Sequence, residues 1–332
     1  MVDKPFKTYP QLVEILINSH GLIVQDKQNA IELLKIIPYY DLVNGYKEHF
    51  MVNDQYVKGM TLEYILLYAL FDKSFQNILF KYSVYIESRF KNSVAYAISN
   101  HFGVATNDYL DITKYTNSSN SNKRNKKIKL FNTLNDTWKG SNISQPTLHY
   151  VQTKDHVPPW ILFRNISFSS IIDLFTFLPQ NLKEEVASDM ILINISSHSK
   201  VELMHIAITI VRIFRNIIAH NLKFITNTSN HYEIKSKAIR NHLLGTLLTQ
   251  DDIANDRGKN DRFSMAISTV LLLGNEILLG QFAKDIKILQ AQFASTEQEL
   301  KVTNDYFKNI DIPFDIPERI AFYAQALNEK QI

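Results

Sequence analysis

The sequence predicts an all-α fold, a multi-helix bundle, on three observations. Apolar residues recur at spacings of three and four through most of the 332 residues, the pattern of one buried helix face. No stretch alternates apolar and polar residues as a half-buried strand would. Nine glycines and nine prolines are too little punctuation for the many tight turns of an all-β chain. There is no fixed-period repeat.

In chain order, Tyr9 to Ser19 reads as an amphipathic helix stopped by His20-Gly21. Asp26 is an N-cap for Lys27 to Ile36, which ends before Pro38. Tyr39 to Tyr46 turns the chain, its aromatics wedging neighbouring helices apart. Thr61 opens a long helical region from Leu62 to about His101, with a break expected near Lys73 or Tyr82. Residues 117–127, rich in Asn, Ser and Lys, read as a mobile, basic, exposed segment, and a short helix follows at Ile128 to Thr137. Pro158-Pro159-Trp160 is a rigid entry to a helix from Ile161 to Leu178. Further helices are expected at Leu182 to Ile191, Ser199 to Ala219, Ile234 to Leu248, Ser264 to Leu279 and Gln281 to Gln298. The prolines of Ile310 to Pro317 hold the tail extended before a last helix from Glu318 to about Leu327. The resulting division is an N-terminal helical region (1–60), a core (61–225) with a basic insertion (117–129), and a C-terminal helical region (226–332).

With 45% hydrophobic and 21% charged residues, the composition is that of a soluble globular protein. The chain has no cysteine, which excludes disulfides, thiolate zinc sites and cysteine nucleophiles. That absence fits a cytoplasmic protein. Met1 to Pro5 leads into no apolar segment of a secretory signal, and no apolar run is long enough to span a bilayer. A net charge of +3 permits a nucleic-acid partner without requiring one.

The most informative feature is Arg215-Asn216-Ile217-Ile218-Ala219-His220, at the end of an otherwise apolar helix. Arg and His in such a helix cost burial energy unless paired, solvated or used. Arg212, Arg215, Asn216 and His220 form one polar stripe on an ideal helix. One reading is an exposed polar face whose terminal histidine suits the helix dipole. The other is general acid–base catalysis by His220, with Arg215 binding a scissile phosphate and Asn216 orienting the imidazole or the phosphate. RNA supplies its own nucleophile, the 2′-hydroxyl, so such a site needs no metal or other cofactor and spares DNA. A single Arg-x4-His per chain points to a homodimer that pairs two of them.

Elsewhere, Glu87 and Lys91 form an i,i+4 pair, with Arg89 and Asn92 nearby. Lys123, Arg124, Lys126, Lys127 and Lys129 have the composition either of a phosphate-contacting arm or of a solvated loop. Tyr39, Tyr40, Tyr46 and Trp160 could stack on bases or wedge helix junctions. His49, His101, His198, His205 and His242 show no metal-ligand spacing. No H-E-x-x-H, phosphate loop, dinucleotide fingerprint or nucleophile elbow occurs.

Arg215 to His220 resembles the Arg-x(4–6)-His signature of the HEPN ribonuclease superfamily. The wider chain resembles the AbiD/AbiF-like abortive-infection proteins, through pieces that come in order. These are Gly21-Leu22-Ile23; Tyr39-Tyr40-Asp41-Leu42 with Gly45-Tyr46; Thr61-Leu62-Glu63 with Phe71-Asp72; and Ile86-Glu87 with Arg89-Phe90-Lys91-Asn92. Pro158 to Leu162 with Ser167-Phe168, and Phe214 to Asn221, complete the set, which covers most of residues 1–225. The resemblance implies a HEPN-like helical core, an RNase-type site and a role in phage defence. It also implies a small structured RNA as a partner besides the RNA substrate. On it, Glu87 would orient Arg215 or His220. Lys91 and Arg212 are expected to stand behind the site with Glu87, Arg89 to contact RNA, and Arg164 to be structural or to contact RNA. Two departures stand out: Arg164 occupies a position that is usually acidic, and Asn221 one where a second histidine often follows. The expectation is therefore a metal-independent endoribonuclease, the alternatives being a non-catalytic RNA-binding module or a protein-interaction subunit.

Overall fold

Residues 5–329 are described in a computed structural model, so Met1–Lys4 of the stretch read against a secretory signal lie outside it. Thr8 accepts from the Gln11 backbone N–H and the Gln11 side chain accepts from that of Thr8, a reciprocal cap that starts α1 (Tyr9–Glu14). The helix widens into a π-turn at Ile15–Ser19 and stops at Gly21, whose φ of 67° suits glycine. Asp26 caps α2 (Lys27–Ile36), and a second π-turn at Tyr40–Asn44 leads to α3 (Lys47–Phe50). A two-residue hairpin follows, β1 (Met51–Val52) against β2 (Gln55–Tyr56). Both of its central residues, Asn53 and Asp54, have positive φ, as a type I′ turn demands. Strands this short leave no alternation for the sequence pattern to show.

Thr61 caps α4 (Leu62–Phe102), a single 41-residue helix with no break at Lys73 or Tyr82. Beyond the short α5 (Thr106–Tyr109), Asn120 accepts from the backbone N–H groups of Asn122 and Lys123 and starts α6 (Ser121–Lys139). Most of the segment expected to be mobile is thus the first turns of a helix, its cap hidden among other Asn and Ser residues. After α7 (Thr147–Thr153), the helix expected from Ile161 to Leu178 is two. These are α8 (Pro159–Leu162), closed by a 3-10 turn, and α9 (Phe168–Phe177), capped by Ser167. Next come α10 (Gln180–Met190) and α11 (Ser197–Ala219).

In the C-terminal region the expected boundaries shift. Only α12 (Lys237–His242) forms within Ile234–Leu248, because the chain loops back at Gly245 (φ 81°) and buries Leu247 and Leu248 from a turn. After α13 (Gln250–Ala254), Gly274 in the left-handed conformation ends α14 (Arg262–Leu273). A capping box at Thr296 separates α15 (Glu276–Gln292) from α16 (Glu297–Asn309). The last helix is α17 (Ile316–Asn328).

Helix α4, roughly 60 Å long at 1.5 Å per residue, is the strut of the fold. Phe71 and Phe75 pack on Tyr306 and Phe307 of α16, Tyr82 on Phe282 of α15, and Phe90 on Phe168 and Phe175 of α9. Its apolar stripe changes direction because its neighbours change, which explains the break the sequence suggested. Buried apolar residues from Val13 to Ala324 join in one cluster, so all three regions share a core. Among the described residues, no helix is long and apolar enough to cross a membrane.

Candidate active site

Helix α11 starts at Ser196, whose hydroxyl accepts from the Ser199 N–H, and buries Leu203, Ala207, Ile210, Val211, Phe214 and Ile217. Arg215 leaves that face toward α4. Its side chain is 31% exposed, with one Nη 3.1 Å from the Asn216 Oδ1 to which it donates and the other 3.6 Å from Glu87 Oε2. The guanidinium carbon lies 5.7 Å from the centre of the Phe80 ring. Its Nε is buried and has no hydrogen-bond partner among the described residues. The other Glu87 oxygen holds Lys91 Nζ at 2.8 Å.

These groups open on a pocket of about 380 Å³ between α4, α8 and Arg215, lined also by Ser88, Asn92, Trp160 and Arg164. Pro158 and Pro159 set the entry to α8, and Trp160 is 45% exposed beside the pocket. Arg215, Lys91 and Arg164 outnumber the single carboxylate, so the pocket suits an anion, and a guanidinium is shaped for phosphate. The cationic departure at Arg164 therefore adds to the pocket's positive charge.

His220 caps the C-terminus of α11, exposed, and its ring makes no hydrogen bond to a described residue. His220 is not among the residues that line the Arg215 pocket. The chain then turns through a Schellman motif. Asn221 N–H donates to Ile218 O and Leu222 N–H to Ile217 O, with Asn221 left-handed at φ 53°. Asn tolerates that conformation, and its Nδ2 donates to Asp41 Oδ2 at 3.1 Å, tying the motif's end to the Tyr39–Leu42 segment. Asn221 thus has a structural task at the position where a second histidine often follows in the proteins the chain resembles.

The structure gathers Arg215, Asn216, Glu87, Lys91 and Arg164, and it separates Arg212 and His220 from them. Asn216 orients the guanidinium, not the imidazole. Arg212 lines a different cavity with His205, Lys123 and Lys126.

Two expected RNA contacts are structural instead. Arg89 donates to the carbonyls of Leu272 (2.7 Å) and Asp189, pinning α4 to the ends of α14 and α10, and burial lowers its pKa. Lys127 is buried, and its Nζ donates to the carbonyls of Ile112 and Tyr115 and to Asn117 Oδ1. Arg124 folds back on the carbonyls of Ser118 and Ser119, Lys126 pairs with Asp173 at 2.6 Å, and Lys123 and Lys129 are exposed. Sequence reasoning missed Ser88 as a lining residue; its spacing of four from both Val84 and Asn92 was the available signal. His205 and Tyr232 meet across 27 residues, and nothing local pairs them.

A family model described as Abi-like protein matches residues 32–226, from within α2 to just beyond the Schellman turn. That is more than half of the chain and includes every residue of the Arg215 pocket. No curated protein and no solved structure matches the chain. On the family match, the chain belongs to the Abi-like protein family.

Proposed function

We propose that the protein is a HEPN-type, AbiD/AbiF-like endoribonuclease that acts in abortive-infection defence against phage and cleaves RNA without a metal. Family membership supports the abortive-infection role. The observation that carries the cleavage reading is Arg215 itself. Its guanidinium is held by Asn216 and Glu87 at the wall of a cationic pocket, with Lys91 and Arg164 alongside.

In this reading a phosphate of the RNA seats on Arg215. An imidazole takes the proton of the ribose 2′-hydroxyl, and the 2′-oxygen attacks phosphorus. The 5′-oxygen leaves with a proton from a second acid, giving a 2′,3′-cyclic phosphate and a 5′-hydroxyl. The three cations spread the negative charge that builds on the phosphoryl oxygens. His220 is the acid–base group. Because it stands apart from Arg215 in one chain, a homodimer in which a second copy's helix end meets the pocket completes the site. RNA is the substrate, and a small structured RNA is a further partner.

The separation of His220 from the Arg215 pocket also favours a second reading, a module that holds RNA without turnover. One experiment decides between them. Wild type and His220→Ala are incubated with RNA and matched DNA in EDTA, and the product ends are identified. The expected result is RNA-only cleavage leaving 2′,3′-cyclic phosphate ends, slowed about 100-fold or more by the substitution. Cleavage by His220→Ala at the wild-type rate, or 5′-phosphate products, would overturn the assignment; RNA binding without new ends would support the second reading.

A further inference from the structure

Helix α11 borders a second, larger cavity, about 590 Å³, between the start of α6, α9 and the loop carrying Tyr232. That size lies within the range of small-molecule sites. Lys123, Lys126 and Arg212 face it against one carboxylate, Asp173. Lys126 is neutralised by Asp173 at 2.6 Å, whereas Lys123 and Arg212 have no ion-pair partner among the described residues. His205 sits in the wall with its ring 6.3 Å from that of Tyr232, and neither ring nitrogen is hydrogen-bonded to a described residue. Burial lowers the pKa of His205, Lys183 and Lys126 lower it further and Asp173 opposes them, so a neutral imidazole is available to donate and accept.

Two cations without ion-pair partners and two aromatic rings lining one polar cavity are the complements of a phosphate and a base. We propose that this cavity binds one nucleotide, its phosphate on Lys123 and Arg212 and its base against His205 and Tyr232. The nucleotide is either free or one unit of an RNA strand. The site stands apart from the Arg215 pocket, so it holds whether or not that pocket cuts RNA.

The test is calorimetric titration of the full chain with uridine and adenosine 5′-monophosphates, with the unphosphorylated nucleosides, and with a 2′-O-methylated oligouridine that cannot be cleaved through its sugar. Saturable nucleotide binding is expected, weakened about tenfold or more by Arg212→Ala or by removal of the phosphate. It should also be weakened by Lys123→Ala and Tyr232→Ala, two exposed substitutions that leave the fold intact, and the His205 ring resonances should shift on binding. Lys284→Ala, on the exposed face of α15, serves as the control and should bind as wild type does. Mononucleotide affinity equal to that of the oligomer identifies a free nucleotide; much tighter oligomer binding identifies a strand. Absence of saturable binding by every phosphorylated probe would overturn the proposal. So would binding that survives the combined Lys123→Ala and Arg212→Ala change, or that is lost with Arg215→Ala instead.

Discussion

Two carboxylates of helix α4, Asp72 and Glu87, lie fifteen residues and about four turns apart, and their surroundings differ in kind. Asp72 is 2% exposed and accepts from two phenols, Tyr46 at 2.9 Å and Tyr306 at 2.7 Å, with no ion-pair partner among the described residues. Burial raises its pKa and those of both tyrosines, so the phenols stay protonated as donors. The cluster joins the Tyr40–Tyr46 turn, α4 and α16, and it is buried, although Asp72 and Tyr46 border a pocket of about 410 Å³. Glu87 instead meets two cations, Lys91 and Arg215, at the wall of a pocket that solvent reaches. A polar residue on a core helix is therefore not in itself a sign of function. A buried carboxylate satisfied by phenols fastens elements together, and one that steadies cations beside an opening can position them for a ligand.

The contrast breaks most sharply at Asp72. Asp72→Ala leaves two buried phenols without their acceptor and should cost about 2–4 kcal/mol in urea unfolding. A cost under about 1 kcal/mol would show that the cluster fastens nothing. A smaller effect is the pH dependence of the same group. Because its folded pKa is raised, its stabilising contribution is complete below the unfolded carboxyl value, about 4, and is lost as pH rises through the folded value. The unfolding free energy of wild type minus that of Asp72→Asn should therefore fall as pH is raised above about 4. A difference that is flat or rises would contradict a raised pKa. Smallest of all is the stability effect expected of Arg215→Ala. Glu87 keeps Lys91 and access to solvent, so the change should stay within about 1 kcal/mol.

Much of this was legible in local signals. Asp26 and Thr61 each announce a helix start through a side-chain acceptor, and the apolar spacing of α11 places Arg215 and His220 at its end. The i,i+4 relation of Glu87 and Lys91 was readable for the same reason. What was hidden depends on distant neighbours. Lys127 looks like its basic companions until carbonyls from residues 112 and 115 surround it. Arg89 is claimed by carbonyls about 100 and 183 positions away, and Gly274 leaves room for its guanidinium. The continuity of α4 depends on which helix covers each turn, and its own periodicity carries no record of that.

The most direct test is the initial rate of RNA cleavage in EDTA by Arg215→Ala, on samples whose folded fraction is known from their unfolding curves. The expected result is a rate reduced about 100-fold or more in a protein that remains folded. A wild-type rate, or a loss only in proportion to the unfolded fraction, would contradict it and leave the Arg215 pocket a structural feature like Asp72.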